Sequence, residues 1–228
     1  MIVYYSNTTN SFVYEPEPLF QSLFNNLKTN GKDSVQLDQI KKCPSVKEFC
    51  NNTFVFKNAI EYDLEWVDGL IKTSSKNQKF FDANVVVRDA NIGLCSYKFP
   101  SDIFLAEKPL IGELTPPFLH DCDISNKATM VCGSFDMGRH FRSLECAFIF
   151  KNKNDRIQFR ESQPLYYVRF RTDDKIKFQK FIWTEEMQSV WINMIQMREG
   201  VKPLQFWYNI FEKSYRKHFL RLIKQNLV

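Results

Sequence analysis

No run of apolar residues in this chain is long enough to cross a membrane. Stretches such as Val85 to Val87 and Ala147 to Phe150 fall far short of the roughly 18 apolar residues that a spanning helix needs, so no membrane insertion is expected. Met1-Ile2-Val3-Tyr4-Tyr5-Ser6-Asn7 has neither a basic segment before an apolar core nor a small-residue cleavage site, which predicts no secretory signal. Paired cysteines are missing too. Cys43, Cys50, Cys95, Cys122, Cys132 and Cys146 stand at irregular spacings with no CxxC, which argues against zinc ribbons and thioredoxin-type redox sites. With no export signal they are expected as free thiols, mostly small core residues. Walker, HExxH, GxSxG and GxGxxG elements are absent, and with them the common nucleotide and hydrolase signatures. No internal repeat recurs at a period of about 20 to 50 residues.

What remains is globular in composition. Of 228 residues, 44% are hydrophobic and 22 are Phe, and 31 Lys+Arg stand against 26 Asp+Glu. That balance excludes disorder for the bulk of the chain. The length fits one large or two small domains.

The pattern reads as mainly β. Leu19, Phe20, Leu23, Phe24 and Leu27 recur at helical spacing after Pro18 and predict a short amphipathic helix. Pro44 opens one or two helical turns that Asn51-Asn52 would stop. Strand-like segments follow: 53–57, 61–67, 85–88, 94–99, 110–114, 129–132, 144–150, 165–171 and 176–183. The clearest is Glu61-Tyr62-Asp63-Leu64-Glu65-Trp66-Val67, where Tyr62, Leu64 and Trp66 should face a core while Glu61, Asp63 and Glu65 face water. Asp68-Gly69 beside it signals a hairpin. Many short strands without interleaved long helices predict an antiparallel β-sandwich or jelly-roll-like domain over 1–183. Two α-helices complete the chain over 184–228. Thr184 caps the first, with Met187, Val190, Trp191, Met194 and Ile195 on one stripe, and Gly200 with Pro203 closes it.

In the second helix, Trp207, Phe211, Tyr215, His218, Phe219 and Leu222 fall on one side, and Lys213, Arg216, Lys217, Arg221 and Lys224 on the other. Residues 202–228 hold six Lys+Arg against one Glu, so this segment carries the whole net charge of +5. Those five cations are candidates for an anionic partner, nucleic acid among them, with Phe206 and Tyr208 available for stacking. The alternative is the solvated side of a helix whose aromatic side covers the sheet. His218 reads as a packed edge residue.

The densest polar stretch is Gly133-Ser134-Phe135-Asp136-Met137-Gly138-Arg139-His140-Phe141-Arg142-Ser143-Leu144-Glu145. Guanidinium forks match phosphate oxygens, so Arg139 and Arg142, with Glu145, are the candidate ligand-binding residues. Asp136 and His140 are the candidate acid–base pair. The same letters also describe an Asp–Arg network that ties a loop to a sheet. A further group, His120-Asp121-Cys122-Asp123, would need a third ligand such as His140 to hold a metal, and Cys122 interrupts the HxD spacing. It reads as a polar turn after Pro116-Pro117. No metal or other cofactor is expected.

Gly133-x-x-Asp136, Phe141-Arg142 and the segment from Gln158 to Phe170 resemble, in order, part of the pattern of the dUTPase and dCTP deaminase family. That family's Gly-Asp-Arg triplet is here Ser162-Gln163-Pro164, so the resemblance implies a β-sandwich more than an activity. Lys42-Cys43-Pro44, Asn52-Thr53-Phe54-Val55-Phe56, Glu61-Tyr62-Asp63-Leu64 and the 133–145 stretch resemble a family of uncharacterised tailed-phage proteins, T4-like and marine. The resemblance implies a phage gene product in the host cytoplasm or the virion. The expected function is therefore a non-enzymatic binding, virion-associated or host-interaction protein whose partner is another protein, phage or host, with an oligomer left open. The alternative is a nucleotide-binding or nucleotide-hydrolysing β protein.

Overall fold

At residues 62–67 the alternate side chains Tyr62, Leu64 and Trp66 all lie in the core. The computed structural model describes residues 1–8, 13–29, 39, 41–74, 78–97, 102–140, 143–198 and 203–228. Among these residues the strands are β1 (Ile2–Asn7), β2 (Glu17–Pro18), β3 (Thr53–Lys57), β4 (Tyr62–Val67), β5 (Leu70–Lys72), β6 (Val85–Asp89), β7 (Leu94–Tyr97) and β8 (Asp102–Ala106). They continue with β9 (Ile111–Thr115), β10 (Ala128–Met130), β11 (Gly133–Asp136), β12 (Cys146–Phe150), β13 (Arg156–Phe159), β14 (Pro164–Phe170) and β15 (Lys177–Lys180). The α-helices are α1 (Leu19–Thr29), α2 (Pro44–Cys50), α3 (Gln78–Asn84), α4 (Asp123–Lys127), α5 (Glu185–Arg198), α6 (Leu204–Ile210) and α7 (Arg216–Gln225). The protein is mainly β, with helices towards its C-terminus.

The strands form four sheets, in the orders β15-β1-β8, β10-β12-β7-β6, β11-β9-β14-β3-β2 and β13-β4-β5. Every pairing is antiparallel except β1 with β15. That exception corrects the expectation of an antiparallel arrangement throughout. It joins the two ends of the β region, and a parallel pair needs such a long crossover. The β4–β5 hairpin turns through Asp68 and Gly69 at φ 52° and 70°, the doubly left-handed turn that matches strand twist.

β1 separates two apolar cores. Val3 and Tyr5, with Phe104 and Ala106 of β8, face the main core. Tyr4, with Ile103 and Leu105, faces a second core completed by Phe181, Trp183, Met187, Phe211, Phe219 and Ile223. The C-terminal helices are thus seated on the β15-β1-β8 sheet. A third, smaller cluster, Leu19, Cys50, Val55 and Tyr167, fastens α1 and α2 to the five-stranded sheet.

Local signals hold at several helix ends. Pro44 starts α2, and Asn52 follows it at φ 49° with its side-chain amide donating to the carbonyls of Thr172 and Asp174. Thr184 Oγ1 accepts the Met187 amide and caps α5. Cys50, Cys95, Cys122 and Cys146 are buried thiols, Cys43 is half-buried and Cys132 is exposed. Burial pushes the Cys95 thiol up to about 12.

Three further expectations are corrected. Asp63 is not turned to water: its carboxylate pairs at 3.2 Å with Arg156, diagonally across the β13–β4 register, and its side chain is only 11% exposed. Strands β1, β2, β5, β8, β11 and β13 arise where no strand was expected. The final helix is not uniform, because a π-helical turn at Phe211–Tyr215 separates α6 from α7.

Candidate functional site

The polar stretch from Gly133 folds as edge strand β11 and then a tight turn. Asp136 Oδ1 accepts the amides of Gly138 (2.9 Å) and Leu110 (3.2 Å), so this carboxylate organises the turn. Its own carbonyl accepts the amides of Arg139 and His140 at 3.0 and 2.7 Å. Met137, fully buried, exchanges main-chain hydrogen bonds with Leu110 and Ala106. A Cβ on Gly138 would stand 2.9 Å from the Lys108 carbonyl oxygen and 3.0 Å from Pro109 Cα. Only glycine permits the turn to lie so close to that backbone.

The C-terminal segment closes over this turn. Gln205, Tyr208, Asn209 and Glu212 recur at helical spacing and face it. Arg139 pairs through Nε with Glu212 Oε2 at 2.9 Å, and its Nη2 donates to Asn209 Oδ1. The π turn shifts the helical register just where Glu212 and Arg216 reach the sheet. Arg216 donates from Nε to the Gly138 carbonyl (2.8 Å) and from Nη2 to the carbonyls of Glu107 (2.7 Å) and Ala106 (3.3 Å).

Between the turn and α6 lies a cleft of about 440 Å³, lined by Val131, Phe135, Leu144 and Tyr208 together with Asp136, Arg139, His140 and Glu145. His140 is buried, its ring 5.1 Å from Phe135 and 6.2 Å from Tyr208. Glu145 pairs with Arg88 at 3.1 Å, and Arg88 also donates to Ser96. Four of the five residues singled out in the 133–145 stretch are therefore brought to one cleft, while Arg142 lies outside the described residues. Tyr208, Asn209 and Glu212 complete the site. Their helical spacing was the available signal, but which strand loop they would face depended on the fold.

The five cations of the last helix do not make one free face. Arg216 is turned inward as described, which removes it from any outward-facing stripe. Lys224 reaches Glu107 Oε1 at 2.6 Å, a hydrogen bond that holds the Glu107 carboxyl below its ordinary range and raises the lysine. Arg221 donates to His218 Nδ1 at 2.8 Å, and His218 Nε2 meets Glu186 at 3.0 Å, so this edge histidine ties α7 to α5. Lys213 and Lys217 are exposed and have no carboxylate partner among the described residues.

The His120 segment does not converge on a metal. Asp121 accepts from Asn126, Asp123 pairs with Lys127 and accepts the Gln158 amide, and the His120 ring turns inward to Tyr167. Among the described residues no group of three or more His, Cys, Asp or Glu side chains is placed to hold an ion. In comparisons with known proteins, no family model, no curated protein and no solved structure matches this chain.

Proposed function

We propose that this protein is a non-enzymatic binding module, built on a sandwich or jelly-roll-like β scaffold, that receives another protein in the cleft between β11 and α6. The observation that carries the reading is the condition of the cleft's charged groups. Asp136 accepts two main-chain amides, Arg139 holds Glu212 and Asn209, and Glu145 holds Arg88. What the cleft offers a partner is shape and apolar surface, including Val131 at 48% exposure on its rim. The tailed-phage resemblance supports a virion-associated or host-interaction role, in the host cytoplasm or the virion. The nucleotide alternative draws less support, since a phosphate arriving at Arg139 would have to displace the Glu212 carboxylate.

A photo-crosslinking residue at position 208, in protein expressed during infection, tests the proposal. One protein adduct should form, and Val131→Asp should abolish it while the melting temperature holds. Nucleotides with and without magnesium should leave the melting temperature unchanged. A bound nucleotide at 100 times its dissociation constant would add about 2.7 kcal/mol, and that rise, or the lack of any adduct, would overturn the reading.

A further inference from the structure

A second pocket, of about 380 Å³, lies on the far side of the five-stranded sheet's β2 edge, between α1, β3, the His120 loop and the turn before β14. That volume is within the range of roughly 300 to 1,000 Å³ usual for small-molecule sites. Its deepest polar groups are Ser22 and His120, each only 5% exposed. Their hydrogens can be counted. Tyr167 Oη accepts the Leu119 amide at 3.2 Å and lies 2.5 Å from His120 Nδ1. His120 Nε2 lies 3.3 Å from Ser22 Oγ, and a neutral imidazole has one hydrogen and one acceptor nitrogen, so only one of the two hydroxyls can donate to the ring. One hydroxyl hydrogen, of Tyr167 or of Ser22, is thus left with no acceptor among the described residues, and of the two only Ser22 lines the pocket, where a ligand oxygen could take its hydrogen and leave the ring acceptor to Tyr167. A buried donor without an acceptor is costly, and a ligand oxygen would satisfy it.

The rim holds charges of both signs, of which Lys57 and Glu17 form an ion pair. Glu17 is satisfied on both oxygens, by Lys57 at 2.5 Å and Asn25 at 3.2 Å. Arg160 is exposed and forms no ion pair with a carboxylate among the described residues, although its charge acts on Asp123. Asp121 has one oxygen on Asn126 and the other without a partner among the described residues. A simple anion would suit Arg160 and Ser22 but would enter a lining in which Glu17, Asp121 and Glu161 outnumber Lys57 and Arg160. A simple amine would suit Asp121 and leave the guanidinium and the Ser22 hydrogen idle. A molecule that carries both charges meets both demands.

We propose that this pocket binds a free α-amino acid, with its carboxylate on Arg160 and Ser22 and its ammonium on Asp121. Calorimetric titration of the full chain with each of the twenty amino acids, followed by the N-acetyl and carboxamide derivatives of the best binder, tests it. Each cap should weaken binding by about tenfold or more. Arg160→Gln should weaken the free amino acid by a similar factor and no longer distinguish acid from carboxamide, and Asp121→Asn should no longer distinguish amine from N-acetyl. Both residues are exposed, so both variants should keep the wild-type melting temperature. The proposal is overturned if no amino acid binds with a Kd below about 10 mM, if the capped forms bind as well as the free one, or if acetate or inorganic phosphate binds equally.

Discussion

Arg216 Nε donates to the carbonyl oxygen of Gly138 at 2.8 Å, and the same guanidinium also serves the carbonyls of Glu107 and Ala106. One side chain thereby joins the start of α7 to the turn that shapes the first cleft. Arg216→Ala leaves these carbonyls without their charged donor and should cost about 2 to 4 kcal/mol in urea unfolding. Lys217→Gln, one residue on and exposed, should stay within about 0.5 kcal/mol. Equal effects would remove Arg216 from its clamping role.

Salt dependence reports the same geometry from outside. With Arg216 on carbonyls and Lys224 on Glu107, only Lys213, Lys217 and Arg221 are left to meet phosphates. Any nucleic-acid binding through this helix should then show a slope of log affinity against log salt no steeper than about −3, where all five cations would give roughly −4.5. Fluorescence anisotropy at several salt concentrations measures it. A slope beyond −4, by the same estimate, would mean that Arg216 and Lys224 leave their partners.

Gly93 and Trp66 form a steric pair. Gly93 has φ +66°, and a Cβ there would lie 2.8 Å from Trp66 Cδ2. The indole is held in place by its Nε1 hydrogen bond to the Ala90 carbonyl at 2.8 Å. Gly93→Ala should cost more than about 2 kcal/mol, combining left-handed strain with overlap. In a Trp66→Leu background the overlap vanishes and the cost should fall to the strain alone, about 1 to 2 kcal/mol. Additive effects in the denaturation cycle would refute the coupling.

His120 should make stability fall on mild acidification. Burial pushes its imidazole below the ordinary histidine range, so the unfolded chain takes up a proton at a pH where the folded protein does not. Its contribution is complete above the unfolded value of about 6.5 and is lost as pH drops through the window beneath it. Urea midpoints at pH 7.5 and 5.5, values that bracket that unfolded pKa of roughly 6.5, should differ more for wild type than for His120→Gln. An equal difference would assign the acid sensitivity elsewhere.

Residues that speak to their near neighbours were legible without the fold. The Tyr62, Leu64, Trp66 alternation, the Asp68-Gly69 turn, Pro44 at the head of α2 and the Thr184 cap all act within a few positions, so the chain alone determined them. β1 was not legible, because Val3, Tyr4, Tyr5, Ser6 and Asn7 are all buried. A strand with a core on each face carries no alternation to read. Tertiary structure alone decided that Asp63 would be covered by Arg156, that Arg216 would leave the outward stripe for three carbonyls, and that the 133–145 turn would meet α6. Each depends on an encounter between residues far apart in sequence. Helical periodicity says that Arg216 is polar and where on the helix it sits, but only the packing of the helix against β8 and its loop says whether that side meets water or backbone.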